Sequence, residues 1–378
     1  MNQVVIDSSD FVDSVNKLVS NNNFSKIVIV TGKHLENKVF KSKFITSKNP
    51  KIFVSEGSYP EPKQIHKLIS LLNIEKPDLI IAIGGGRIID TVKQANKLHT
   101  LKTQEEIKSS IKDNTYKNLL PLAPIIVIPT TAGTGSEATQ FAVIYIDEKK
   151  YSVDNKDLLP EFVIHDSNLL RNIRQKIIAS TAMDALTQAI ESMWAVKSTK
   201  ESKVYASESI KLIRENIMSA YKSRNNDETS TKKIQTAAYL SGKAINITRT
   251  TAPHAISYPL TVHYNIPHGH AVAMVLRHFI KINSMVDEYE VVDPRGKDYV
   301  KGIMQEIINL FDSSSIEDCQ NKFDYLLKDI SLEVDFKEMG IGTNSDIDII
   351  IKETNLDRLN NNPVKISTDD IKNIFNKY

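Results

Sequence analysis

A chain of 378 residues, of which 41% are hydrophobic and 25% charged, has the composition of a globular protein with about two to three domains. Its net charge of +2 provides no general basic surface for nucleic acid, no apolar run is long enough to span a bilayer, and its single cysteine, Cys319, excludes an internal disulfide and a cysteine-built zinc site. We therefore expect a cytoplasmic protein with neither nucleic acid nor a membrane among its partners.

The first part of the chain alternates strand patterns with amphipathic helix patterns. Continuous β-branched runs predict buried strands at residues 26–30, 51–55, 78–86 and 124–129. Further strands are expected at 141–153, as a pair around a charged turn, and at 161–166, while 101–118 is expected to be a polar surface segment. Such alternation predicts an α/β domain with a parallel sheet over residues 1–166.

Strand patterns stop after this point, and long helical patterns follow. They cover residues 172–196, 201–223, 231–246, 254–260, 268–283, 298–311 and 316–330, with polar loops expected at 223–233 and 357–367. This shift predicts a second, all-helical domain over residues 167–378.

Two glycine-containing loops follow predicted strands. The first, "IGGGRIID", contains Gly84, Gly85 and Gly86, and the second, "PTTAGTGSEAT" (129–139), adds hydroxyl groups. Backbone N–H groups at such positions can bind phosphate, although either loop could instead be a tight turn. Two such loops at the carboxyl ends of parallel strands indicate a shared ligand crevice.

The helical part contains candidate metal ligands. Asp184 and Gln188 are four residues apart and share a helix face, while His254 and His268 each begin a helical pattern. Two imidazoles and a carboxylate could bind one divalent metal, and the alternative is that each is a buried, hydrogen-bonded core residue.

These segments, in this order, resemble the iron-containing (group III) alcohol dehydrogenase family. The resemblance implies a dehydroquinate synthase-like fold, with an N-terminal α/β nucleotide-binding domain, a C-terminal helical domain and the site in the cleft between them. It implies that a divalent metal, Fe²⁺ or Zn²⁺, is bound by Asp184, His254 and His268. It also implies cofactor contacts, at Gly84, Gly85, Gly86, Asp90, Thr130, Thr131, Thr134, Ser136 and Lys150.

Three residues depart from the family pattern. Gln188 stands where the family has its fourth ligand, a histidine, so it is expected either to ligate weakly or to support the other ligands. Tyr258 replaces a further site histidine, and Arg87, which replaces the serine after the three glycines, is expected to contact the cofactor.

The combined motifs are also similar to the phosphonoacetaldehyde reductase branch of the family. A phosphonate aldehyde is anionic, so its pocket should contain cations or many donors. The expected substrate-binding residues are Lys243, Asn246, Arg249, Trp194 and Ser198. In the alternative, Lys243 and Arg249 lie on a solvated face, and the substrate is another small aldehyde or alcohol.

The expected reaction is hydride transfer from a nicotinamide to the aldehyde carbon, with a metal as Lewis acid and His270 or Tyr258 among the candidate proton donors. Gly32 stands where NAD-preferring members have an acid, and Lys33 follows it, so we expect NADPH to be preferred, with NADH possible. A dehydroquinate synthase-like lyase and an inactive nucleotide-binding relic are the rival interpretations. By resemblance the protein forms a homodimer or a larger homo-oligomer.

Overall fold

The computed structural model describes residues 3–41, 49–57, 59–147 and 149–376, and these form two compact units. The first unit comprises the chain up to Thr131 together with Gly135–Leu170, and the second comprises Ala132–Thr134 and the chain from Arg171 onward. The division into one domain over residues 1–166 and a second over residues 167–378 stays a prediction.

The first unit is built on a six-stranded parallel sheet with strand order β1-β8-β5-β4-β2-β3, and it also contains a separate antiparallel hairpin, β6-β7. The strands are β1 (Val4–Ser8), β2 (Ile27–Gly32), β3 (Lys51–Ser55), β4 (Leu79–Gly84), β5 (Ile125–Pro129), β6 (Phe141–Ile146), β7 (Lys149–Asp154) and β8 (Phe162–Asp166). The helices of this unit are α1 (Phe11–Asn21), α2 (Lys33–Lys41), α3 (Pro62–Glu75), α4 (Gly86–Lys97) and α5 (Gln104–Lys112).

The central strands are apolar on both faces because each face packs into its own core. Every residue of β2, β4 and β5 is buried. Along β4, Ile80 and Ala82 belong to one hydrophobic cluster, whereas Ile81 and Ile83 belong to the other. This two-residue alternation explains the continuous apolar runs in the sequence.

The second unit is helical. Its helices are α6 (Gln175–Trp194), α7 (Lys200–Ser223), α8 (Glu228–Thr248), α9 (Ala252–Tyr264), α10 (His268–Ser284), α11 (Lys297–Leu310), α12 (Ile316–Asp329), α13 (Asn344–Glu353), α14 (Leu356–Leu359) and α15 (Thr368–Asn376). The predicted fold class, an α/β part with a parallel sheet followed by an all-helical part, is confirmed. Across the described ranges, no helix combines the length and apolar character needed to cross a membrane.

Several elements differ from the sequence prediction. Strand β1 and helices α13 to α15 were not predicted. Helix α8 begins inside the predicted loop 223–233, because Asp227 caps its first turn by accepting from the N–H groups of residues 229 and 230. The polar segment 101–118 contains α5, whose Ile107 and Ile111 are buried.

Candidate metal centre and cofactor loops

Helix α6 places polar side chains in the interior of the second unit. Every position from 182 to 194 is buried, including Asp184, Gln188 and Glu191. Residues four and seven apart share a helix face, so these three side chains point to the same side of α6. Since buried polar groups need partners, this face must meet other polar groups.

His254 and His268 approach Asp184 from the starts of two other helices. His254 lies in the first turn of α9, and His268 is the first residue of α10. The Nε2 atom of His254 is 3.5 Å from Asp184 Oδ1, and the Nε2 atom of His268 is 4.0 Å from the same oxygen. One potential ligand atom from each residue lies within 4.8 Å of the other two. Two imidazoles and a carboxylate so arranged are a donor set for a divalent zinc or iron ion.

Gly269 allows this close approach. A Cβ atom at this position would overlap the backbone oxygen of Ser180 and would lie 2.7 Å from the Cβ of Asp184. The start of α10 therefore packs directly onto α6, and the adjacent His268 is held beside Asp184.

Glu191 supports His254 from the side away from Asp184, and sequence analysis missed it. Its Oε1 accepts hydrogen bonds from the backbone N–H of His254 (3.1 Å) and from the ring Nδ1 (2.7 Å), while its Oε2 accepts from the N–H and hydroxyl of Thr251. Because an ionised carboxylate only accepts, Nδ1 carries the proton, and Nε2 presents its lone pair toward Asp184. Metal-binding histidines commonly have such a carboxylate behind them. An acid seven residues after Asp184, on the same helix face, was the available signal.

The free nitrogen of His254 fits a metal ligand. Among the described residues, its Nε2 is buried and has no hydrogen-bond partner. Burial opposes protonation of the ring, but the carboxylates of Glu191 and Asp184 outweigh it and raise the pKa of His254. The cluster thus favours a positive charge, which a divalent cation would supply while bound by the same nitrogen.

Gln188, predicted as a weak ligand or a supporting residue, has both ends of its amide engaged. Its Nε2 donates to Asp184 Oδ1 (3.1 Å) and to the backbone oxygen of Thr134 (3.4 Å), and its Oε1 accepts from the hydroxyl of Ser241 (3.1 Å). The amide oxygen is therefore directed to Ser241, and the amide nitrogen orients the Asp184 carboxylate. This arrangement favours the supporting position, and ligation by Gln188 stays a prediction.

Of the two predicted proton donors, Tyr258 lies against the cluster and His270 does not. The Tyr258 ring stacks on His268 with centroids 5.8 Å apart, and burial raises the pKa of Tyr258, which keeps its phenol protonated. His270 is two positions beyond His268, and residues two apart do not share a helix face. Its Nε2 donates to the backbone oxygen of Glu333 (2.6 Å), and burial lowers the pKa of the ring. His270 therefore has a structural contact with residue 333, and its role as a proton donor stays a prediction.

Trp194 and Ser198, predicted to line a substrate pocket, have partners inside the second unit. The buried Trp194 donates its indole N–H to the hydroxyl of Thr251 at 2.9 Å, so it supports the residue that binds Glu191. The hydroxyl of Ser198 accepts from Arg295 at 2.9 Å. Both contacts are supporting ones, and contact of either residue with substrate stays a prediction.

Lys243, Asn246 and Arg249 lie at the carboxyl end of α8 and are half-buried. The Lys243 ammonium is 4.0 Å from the centroid of the Tyr205 ring, and Arg249 Nη1 donates to the backbone oxygen of Asn246 at 2.7 Å. Arg249 has φ 63° and ψ 179°, a backbone conformation that is almost exclusive to glycine. Strain of this kind, two residues before Thr251, points to a functional constraint on Arg249.

The two predicted cofactor loops follow neighbouring strands of the sheet, β4 and β5. Gly85 is the N-cap of α4 and provides no side-chain cap, so the first N–H groups of the helix can serve an anion. A Cβ atom on Gly85 would lie 2.9 Å from Thr131 Oγ1, and the N–H of Thr130 donates to the backbone oxygen of Gly84 at 3.1 Å. The loops therefore meet at the carboxyl ends of β4 and β5, where open α/β sheets bind nucleotides.

Buried charges connect α4 to the second loop. The Asp90 carboxylate accepts from the hydroxyl of Ser136, and burial raises its pKa. Lys93, which sequence analysis missed, donates from Nζ to the backbone oxygens of Ser136, Thr139 and Phe141. Burial lowers the pKa of Lys93 to about 8. Asp90 and Lys93 thus hold the shape of the second loop.

The remaining predicted cofactor residues are scattered over both units. Gly32 is buried at the end of β2, and Lys33 is exposed at the start of α2. Lys150 lies in β7, where its charge favours the ionised form of Asp90. Thr134 belongs to the second unit. Contact of these residues with a dinucleotide stays a prediction.

Comparison with known proteins identifies one family over almost the whole chain. Residues 3–167 match the model of iron-containing alcohol dehydrogenases, and residues 178–378 match the C-terminal model of the same family.

Two curated relatives have reductase or dehydrogenase names. The chain is 29% identical over 264 residues to a phosphonoacetaldehyde reductase of Streptomyces viridochromogenes, an alignment that covers 68% of this chain and 66% of the relative. It is also 29% identical over 330 residues to an NADPH-dependent butanol dehydrogenase of Clostridium saccharobutylicum, with 85% of this chain and 82% of the relative covered.

A solved structure has the same fold. The sulfoacetaldehyde reductase of Bifidobacterium kashiwanohense, determined in complex with NAD⁺, has a TM-score of 0.85 and 23% identity, and the match covers 99% of this chain and 96% of that one. The predicted iron-type alcohol dehydrogenase fold is thereby confirmed.

Proposed function

Because this chain belongs to the iron-containing alcohol dehydrogenase family, we propose that it reduces phosphonoacetaldehyde to 2-hydroxyethylphosphonate with NADPH, in phosphonate biosynthesis. The enzyme class that accompanies family membership is a metal-dependent, NAD(P)-linked alcohol dehydrogenase or aldehyde reductase. The substrate is our inference from the site and from the similarity to a phosphonoacetaldehyde reductase.

Asp184, His254 and His268 would hold the divalent metal, which supplies a Lewis acid for the carbonyl, while the nicotinamide supplies the hydride. Glu191 fixes the ring orientation of His254, and its charge would make the imidazole a more basic metal ligand. Tyr258, which is protonated and stacked on His268, would donate the proton that the alcohol product gains.

The observation that carries the substrate proposal is the strained backbone of Arg249. A residue in a glycine-only conformation costs about 1–3 kcal/mol, and residues strained in this way cluster at active sites and ligand clamps. A guanidinium is suited to a phosphonate because its N–H groups match two oxygens of the anion. Arg249 also precedes Thr251, which is bound to the carboxylate that orients His254.

Arg249→Ala and Arg249→Gly test this proposal with two aldehydes. We expect kcat/KM for phosphonoacetaldehyde to fall by about 100-fold, since a bidentate charged contact is lost, and kcat/KM for propanal to change by less than about 3-fold. Arg249→Gly should in addition raise the free energy of unfolding by about 1 kcal/mol by relieving the strain. Lys233→Ala, at an exposed lysine of α8, is the control and should leave both kcat/KM values unchanged. Equal losses with both aldehydes would contradict the phosphonate assignment.

The second candidate is a reductase of another small, uncharged aldehyde. The similarity to an NADPH-dependent butanol dehydrogenase favours it, because the alignment with that protein covers more of this chain than the alignment with the phosphonoacetaldehyde reductase. In that case propanal or butanal should exceed phosphonoacetaldehyde in kcat/KM. A lyase of the dehydroquinate synthase type would show no net cofactor oxidation with either aldehyde.

We further propose that the protein acts in the cytoplasm as a homodimer or a larger homo-oligomer. Family resemblance supports the oligomer, and the low cysteine content supports the compartment. Sedimentation equilibrium of the purified protein measures the first, and a monomer at micromolar concentration would contradict it.

A further inference from the structure

Three parallel strands of the first unit end next to one another. In the sheet, β2 lies between β4 and β3, and Gly32 at the end of β2 pairs in register with Ser55 at the end of β3. The glycine loop that begins α4 follows β4, the neighbour on the other side. The end of β2 is therefore next to the loop expected to bind the pyrophosphate of a dinucleotide, and the end of β3 lies one strand further along the sheet.

The Arg87 side chain extends from the first turn of α4 across these strand ends. Its Nη1 donates to the hydroxyl of Ser55 (3.0 Å) and to the backbone oxygen of Glu56 (2.9 Å). Its Nη2 is 3.7 Å from the point that a Cβ atom on Gly32 would occupy. The guanidinium is thus fixed beside the carboxyl end of β2 by contacts with β3.

The immediate partners of this cation are neutral. Within the described part of the chain, the hydrogen bonds of Arg87 go to hydroxyl and carbonyl oxygens, and Arg87 forms no ion pair with a carboxylate. Because the Arg87 guanidinium is partly buried, its positive charge is not fully solvated, and this lowers the pKa of Arg87. Lys33, exposed and directly after Gly32, adds a second positive charge to the same strand end.

The strand end next to a dinucleotide phosphate loop is where α/β enzymes distinguish the two nicotinamide cofactors. An acid there accepts from the ribose 2′-hydroxyl of NAD(H), whereas a cation accommodates the 2′-phosphate of NADP(H). Here glycine takes the acid's position, and a held guanidinium lies beside it. We propose that Arg87 binds the 2′-phosphate of NADP(H), with Lys33 as a weaker second cation. This inference rests on the proposed use of a dinucleotide and names the residue that selects it.

The test measures NADPH and NADH binding to the wild-type protein, Arg87→Ala, Arg87→Lys and Lys33→Ala by nicotinamide fluorescence, without aldehyde. We expect Arg87→Ala to weaken NADPH binding by about 10- to 100-fold and NADH binding by less than about 3-fold. Arg87→Lys should recover part of the NADPH affinity, and Lys33→Ala should cost less than Arg87→Ala, because an exposed lysine is strongly hydrated. Competition by 2′,5′-ADP should weaken in parallel with NADPH.

Gly32→Asp is a second test that leaves Arg87 in place. The new carboxylate would pair with the guanidinium and repel a 2′-phosphate, so NADPH binding should weaken while NADH binding is kept or improved. Only a small shift of His34 is needed, since the new Cβ would lie 3.1 Å from its ring.

Equal losses of NADPH and NADH affinity in Arg87→Ala would assign the residue to the pyrophosphate and overturn the proposal, as would no loss at all. Thermal unfolding of each variant identifies a general folding defect, and in that case Gly32→Asp decides the question. Because no aldehyde is present, failure of the phosphonate proposal leaves this result unaffected. Wild-type protein that binds neither dinucleotide would overturn the oxidoreductase proposal and this site together.

Discussion

At the scale of single residues, Glu191 fixes which nitrogen of His254 faces the metal site. Its replacement by glutamine keeps the shape but removes the charge that holds Nδ1–H. We expect Glu191→Gln to weaken metal binding by about 10- to 100-fold, because supporting carboxylates raise ligand basicity. Competition with a fluorescent chelator measures the affinity. Glu306→Gln, at an exposed carboxylate, is the control and should have no effect, and an unchanged affinity in Glu191→Gln would contradict the assigned role.

Gln188 is the residue at which this chain departs from the family's ligand pattern. Because Asp184, His254 and His268 already form the donor set, Gln188→His should keep metal binding or tighten it. Gln188→Leu should loosen it, since the Asp184 carboxylate loses the donor that orients it. Metal content after dialysis reports both effects. Loss of metal in Gln188→His would show that the amide is required and that this account of α6 is wrong.

At the scale of secondary-structure elements, the contact of α10 with α6 positions His268. Gly269→Ala should reduce stability by about 1–3 kcal/mol or more, and should release metal, because its Cβ would overlap the Ser180 backbone. Gly302→Ala in α11 is a matched control, because the new Cβ would meet no described atom within 4 Å beyond its chain neighbours and its own helix backbone. It should be neutral or stabilise the protein by up to about 1 kcal/mol. Urea denaturation measures both variants, and similar results for the two would contradict the packing argument.

The connection between α4 and the second cofactor loop is also an element-scale feature. Lys93→Met removes the cation that binds three backbone oxygens of the loop and that helps to keep Asp90 ionised, so we expect a loss of about 2–4 kcal/mol in stability. The loosened loop should raise KM for NADPH more than it lowers kcat. Lys67→Met, at an exposed lysine of α3, is the control and should change neither stability nor KM. A Lys93→Met variant with unchanged KM and unchanged stability would exclude the proposed positioning role.

Strands were predicted from the sequence wherever both faces of the sheet are covered. β4 and β5 are continuous apolar runs because each packs into two cores. β1 was missed because it is an edge strand whose Val4 and Val5 are 46% and 40% exposed, so its pattern lacks a buried run. The predicted start of α8, residue 231, lies after the observed start, Glu228, because the first turn is polar and depends on the Asp227 cap.

At the scale of the whole molecule, the fold class and the three-residue metal cluster followed from the sequence together with family resemblance. Spacing alone left Asp184, His254 and His268 open to a core interpretation, since Asp184 is 70 and 84 residues from the two histidines and meets them only on folding. Glu191 and Lys93 were missed for the same reason, because each looks like an ordinary charged helix residue until its buried partners are known. His270, predicted as a candidate proton donor, contacts the backbone oxygen of Glu333, a partner that its place in a histidine-rich segment does not indicate.

The most direct test of the account is NADPH oxidation by the purified protein with phosphonoacetaldehyde beside propanal, before and after removal of metal by a chelator. We expect a kcat/KM at least about 100-fold higher for phosphonoacetaldehyde, loss of activity on chelation, and recovery with Fe²⁺ or Zn²⁺. Preference for propanal, or full activity in the metal-free protein, would contradict it.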